Sequence, residues 1–172
     1  MLTHLRSGVT LVVLAVLLVV GGLWGWSSLS KPFPDHGSTT STSPCSKVRV
    51  AKGDRISASQ LLVSVFNGGG RSGLADLTAT ALTDQGFGVG NVGNAPKGTK
   101  VPYAQVWSKK PDDPGVRLVV SRLGQLAHVV PQHLKAPGIV VVVGRLFDQP
   151  VPGLPSVKVT RATTICSPPA TQ

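Results

Sequence analysis

Five consecutive β-branched residues, Ile139 to Val143, stand between Gly138 and Gly144 with no polar position among them. A strand of that kind has no face to offer water, so it belongs centrally in a sheet that is covered on both sides. The rest of the chain has to supply that sheet. Gln60 to Asn67, QLLVSVFN, is apolar and rich in β-formers and stops at Gly68-Gly69-Gly70, which reads as a strand running into a glycine turn. Ser72 can then cap a helix with an apolar stripe at Leu74, Leu77, Ala81 and Leu82, closed by Gly86.

Phe87 to Val92 alternates large and small residues and reads as a second strand, followed by a loop from Asn94 to Lys100 and a third strand from Tyr103 to Trp107. Asp113 before Pro114 is a strong helix start, with Val116, Val119, Val120 and Leu123 as the buried stripe and Gly124 as the stop. Ala127 to Val130 is a short strand ahead of the central one. The order β-α-β-β-α-β, with one possible extra strand, predicts an α+β (or α/β) sandwich in which two helices pack against one sheet. Two flanks, Lys47 to Ala51 and Val157 to Arg161, also alternate, and they are expected side by side.

Ahead of this domain, Val9 to Trp26 runs 18 residues without a charge. That is the short end of what spans a bilayer as a helix. Trp24 and Trp26 suit the head-group layer at its far end, and Arg6 and the α-amino group precede it. The expectation is a cytoplasmic tip at 1–8, a transmembrane anchor at 9–27, a Ser/Thr/Pro-rich linker at 28–44 and an extracytoplasmic domain at 45–172. The rival is a cleaved signal peptide with Ser28 and Ser30 near the cut, but the apolar run is long for one, and bulky tryptophans crowd its end. Both readings export the domain. In an oxidising compartment the chain's two cysteines, Cys45 and Cys166, are most simply a disulfide closing a loop of about 120 residues.

All seven acidic residues are Asp. From Cys45 onward, 15 Lys and Arg face 6 Asp, a net charge of +9 that favours acidic glycopolymers, lipid head groups and phosphates as partners. Nucleic acid is not an expected partner of an exported domain. Catalysis finds few candidates. There is no Glu, and the exported histidines His36, His128 and His133 belong to no nucleophile or metal pattern. Asp112 and Asp113 are better explained by helix capping than as a catalytic pair. No catalytic residue, metal or cofactor is therefore expected.

Gly68, Gly70 and Gly73 fit GxGxxG at a strand-to-helix turn, but the region after the second strand, Asn91-Val92-Gly93-Asn94, lacks the carboxylate a dinucleotide ribose needs. Two readings stay open for this turn. Either the glycines only permit a tight turn, or Asn67, Gly68, Gly70, Arg71 and Ser72 hold an anion against the helix amides. Lys97, Lys100, Lys109 and Lys110 around the third strand are the fallback site.

Val63-Ser64-Val65-Phe66-Asn67-Gly68, Gly73-Leu74-Ala75, Gly86-Phe87 and the closing Val140 to Gly144 with Asp148 resemble the LytR C-terminal domain family over about 90 residues, Leu61 to Asp148. Gly88 departs from the hydroxyl or charged residue usual at that point of the family pattern. The resemblance implies a role in wall assembly or maintenance and, with one anchor and one such domain, the stand-alone membrane-anchored form of actinobacteria. It carries over no catalytic residue, because the phosphotransferase domain that often precedes this family is not matched. The expected function is noncatalytic support of envelope integrity through wall glycopolymer, lipid-linked precursor or an envelope protein partner. The competing classes are an enzyme or accessory subunit of glycopolymer phosphotransfer and a pure protein-protein scaffold.

Overall fold

The computed structural model describes residues 45–69 and 71–169, with Val19 alone before them. Apart from Val19, the expected tip, anchor and linker, and Gly70 of the glycine turn, lie outside the described residues. Among the described residues no helix is long and apolar enough to cross a membrane.

The elements are β1 (Ser46–Val50), β2 (Arg55–Ser57), β3 (Leu62–Asn67), α1 (Leu74–Asp84), β4 (Gly88–Asn94), β5 (Ala104–Trp107), α2 (Pro114–Arg122), β6 (His128–Val130), β7 (Ile139–Val143), β8 (Ser156–Lys158) and β9 (Thr163–Ser167). Five of the strands form one mixed sheet in the order β4-β3-β7-β5-β6. β7 is its centre, parallel to β3 and antiparallel to β5. The all-apolar run therefore sits where both faces are covered, and Val141, Val142 and Val143 have no exposed surface.

Strand alternation divides the sheet residues between two apolar layers. Val63, Val65, Ala104, Val106, Val141 and Val143 face the side on which Leu74, Ala79 and Leu82 of α1 and Val116 and Val119 of α2 pack. Phe66, Trp107, Val140 and Val142 face the other side, where loop residues Val101, Leu134 and Ala136 cover them. The expected α+β sandwich with both helices against one sheet is what forms.

α2 starts as its sequence dictates. The Asp113 carboxylate accepts from the Gly115 amide at 2.9 Å, with Pro114 in the first turn. α1 starts differently. Ser72 makes no cap; Gly73, with φ of 76°, occupies that position. Leu77, expected in the buried stripe, is 67% exposed, and the buried face is instead Leu74, Ala75, Thr78, Ala79 and Leu82. Small residues in that stripe let α1 lie close to β3 and β4, and the Thr78 hydroxyl is satisfied by the Leu74 carbonyl at 2.7 Å. Gly86 closes α1 as expected, its amide bonding Thr83 O at 2.8 Å while Phe87 N bonds Leu82 O at 3.0 Å.

Gly88, the departure from the family pattern, has a local cause. A side chain there would collide with Pro168, which packs over the first residue of β4.

The flanks correct the sequence expectation. Lys47 to Ala51 does not pair with Val157 to Arg161. β1 pairs antiparallel with β9, Val48 opposite Ile165, and β8 pairs with β2, Ile56 opposite Val157. The bond between Cys45 and Cys166 is present, with a Cα separation of 5.3 Å, and it staples the end of the β1–β9 ribbon.

Candidate functional site

β3 and β7 run parallel and end together, Asn67 beside Val143. Crevices outside the carboxyl ends of parallel strands are where open sheets of this kind present ligands to loop residues. Here the chain turns sharply after both strands. Gly68 N bonds Val143 O at 2.8 Å, which stitches the two exits, and a side chain at Gly68 would meet Val142 Cγ1 at 2.8 Å. Gly69 continues the turn at a φ of 98°, and the Asn67 amide nitrogen donates to Arg71 O at 2.7 Å, closing the turn on itself.

Of the expected site residues, Asn67 and Gly68 build the turn, and Gly70 lies outside the described residues. Ser72 is exposed and bonds no helix amide. Arg71 does not project alone. Its guanidinium stands 3.5 Å from the Asp148 carboxylate, with side-chain exposures of 59% and 85%. An arriving anion must compete with that carboxylate, which weakens the case for Arg71 as the recognition group. An exposed pair of this geometry adds less than about 1 kcal/mol to stability. Arg71→Ala should therefore leave the melting temperature within about 4 °C of the parent. A larger drop in thermal unfolding would show that the pair organises the turn.

A second set of cations stands on the neighbouring loops. A cavity of about 410 Å³ opens between Gly68 and Gly69, the segment Thr99 to Pro102, and Arg145 and Leu146. Lys100 and Arg145 are its charged residues, and no carboxylate is among its described lining. Both cations stand on fixed backbone. Gly144 N bonds Tyr103 O at 2.6 Å and Leu146 N bonds Pro102 O at 2.8 Å, so the turn carrying Arg145 is tied to the strand that follows Lys100. Tyr103 and Phe147, which flank these tied residues in sequence, stack edge to face with ring centroids 5.3 Å apart.

Lys100 belonged to the fallback set. Arg145 was missed; the signal was its place directly after Gly144 at the end of the central strand. His128 and His133 are not brought together in a site, His128 lying against Gln105 and His133 on a separate groove. Among the described residues no group of three or more His, Cys, Asp or Glu is placed to hold a metal ion.

An α+β domain with a cationic crevice at its strand ends is thus the class of molecule in hand. The family model of the LytR cell envelope-related transcriptional attenuator matches residues 60–147, and the chain belongs to that family. The match opens just before β3 and closes with Phe147, so it contains the whole five-stranded sheet, both helices and both cations of the crevice. It relates the chain to the cell envelope. No curated protein and no solved structure matches the chain.

Proposed function

We propose that this protein is a noncatalytic, single-pass membrane protein whose exported domain supports the envelope by holding phosphate groups of an anionic wall glycopolymer. The observation that carries this reading is the crevice lined by both Lys100 and Arg145 beside a glycine turn, without a carboxylate among the described lining. Two cations on tied loops lower their mutual repulsion by taking an anion between them, and Arg adds a planar fork suited to phosphate oxygens. The anchor at 9–27 keeps the domain at the outer membrane surface with the N-terminus in the cytoplasm, and the domain's charge of +9 adds long-range attraction to the polymer.

The test is binding of a phosphodiester-linked wall polymer to the full-length chain in nanodiscs. The double variant Lys100→Ala/Arg145→Ala should weaken binding at least tenfold, since each charge-assisted contact is worth about 1.5–3 kcal/mol, and should flatten its dependence on salt. Unchanged affinity in the folded double variant would remove the crevice from consideration. Hydrolysis or transfer of the polymer by the parent protein would overturn the noncatalytic reading.

A further inference from the structure

At the opposite end of β7 the molecule has a second concavity of different character. It opens where the two apolar layers meet, beside Ile139 and the end of β5, and its volume of about 320 Å³ is within the range of small-molecule sites, roughly 300–1,000 Å³. Trp107 and Val140 from one layer and Ile165 from the other contribute to its walls, and Leu134 and Ala136 close it from the loop side. Charge appears at Lys109 and Lys110. The one carboxylate in the lining, Asp113, is held in place by the domain's own donors, accepting from Gly115 N at 2.9 Å and from the Thr163 hydroxyl at 3.1 Å. Asp113 keeps its charge, but two exposed lysines against that one held carboxylate leave the lining net positive.

We propose that this groove binds an amphiphile made of one apolar chain and one anionic head, in its simplest form the phosphate monoester of a long-chain alcohol. The apolar walls favour an apolar chain over a purely ionic occupant, and the two lysines favour an anionic head over a neutral one: a chain enters between Trp107 and Leu134 while its head stays with Lys109 and Lys110. Ile165 holds one wall in place because Cys166 of β9, itself part of the lining, is bonded to Cys45 just before β1. This site is independent of the polymer crevice. Polymer binding at Lys100 and Arg145 is measured without an apolar chain, so either reading can fail without the other.

Trp107 supplies the reporter. The chain has three tryptophans, and Trp24→Phe/Trp26→Phe leaves Trp107 alone. That background, full length in phosphatidylcholine nanodiscs, is titrated with hexyl, octyl and decyl phosphate, with octanol and with inorganic phosphate. The expected result is a saturable change in Trp107 emission whose affinity tightens roughly fourfold per added methylene. Octanol should bind at least tenfold more weakly than octyl phosphate, and inorganic phosphate should leave the emission unchanged. Ala136→Phe fills the groove and should abolish the response. Lys109→Ala/Lys110→Ala should erase the preference for octyl phosphate over octanol, and as a pair of exposed positions it keeps the test decisive if Ala136→Phe fails to fold. No saturable response, equal binding of octanol and octyl phosphate, or a signal that tracks protein concentration because a second copy fills the groove would each overturn the proposal.

Discussion

Gly144→Ala is expected to cost about 3 to 5 kcal/mol and to lower the melting temperature by about 10 °C or more. The cause is a collision with backbone. A Cβ at this position would fall on the Val101 carbonyl, with the Pro102 carbonyl carbon 2.9 Å away. Neither can retreat, because hydrogen bonds from Gly144 N to Tyr103 O and from Leu146 N to Pro102 O hold the two segments together. Flexible side chains absorb overlap, whereas a doubly tied backbone does not. Gly93→Ala is the matched control, since its Cβ would meet only Phe66 ring carbons at 3.9 Å. It should lie within about 1 kcal/mol of the parent. Denaturant unfolding of the two variants checks the contrast, and comparable stabilities would show that the β7 exit yields more easily than its hydrogen bonds imply.

Removal of the Cys45–Cys166 bond, by reduction or by Cys45→Ser/Cys166→Ser, should cost about 4 to 5 kcal/mol in the chain-entropy account, because the bond closes a separation of 121 residues. The local consequence follows from burial. Of β1, Val50 alone is buried, and β9 contributes Ile165 to the core. With so little apolar surface holding the ribbon, reduction should free β1 and β9 first. Hydrogen exchange should then rise across residues 46–50 and 163–167 while amides of β3 and β7 stay protected. An unchanged unfolding midpoint after reduction would mean that the reduced chain retains the ribbon unaided. Mass spectrometry without reductant checks the pairing itself.

Much of the sheet was legible because its signals are local. Five apolar β-branched residues between glycines dictated the central position of β7, and Asp113-Pro114 dictated the start of α2, since each rests on the chemistry of neighbouring residues. Leu77 was misassigned for an instructive reason. A helix that packs tightly buries small residues, and Ala75, Thr78 and Ala79 carry too little hydropathy to outweigh two leucines in a periodicity argument. The flanks failed because several short alternating segments compete, and only tertiary placement pairs β1 with Thr163–Ser167 rather than with Val157 to Arg161. Local pattern sets which face of a strand is apolar, not which strand lies beside it. The candidate site divides in the same way. The glycine turn is a contiguous motif and was visible. Arg145 lies 45 positions after Lys100 in the numbering, and only the parallel exit of β3 and β7 brings their loops to one crevice.

The β1–β9 staple also settles how the domain carries load. Cys45 and Cys166 lie at the two ends of the folded region, so tension applied between the chain before residue 45 and the chain after residue 166 passes through one sulfur–sulfur link, and the 120 residues between them feel none of it. The domain is a closed loop hung beside that covalent path. A pull along the chain cannot unravel it; force would reach the sheet only through a ligand held by the domain, as proposed for Lys100 and Arg145 and for the groove beside Trp107. A pull along the chain and a load held by the domain would thus take different paths, and only the second would deform the sheet.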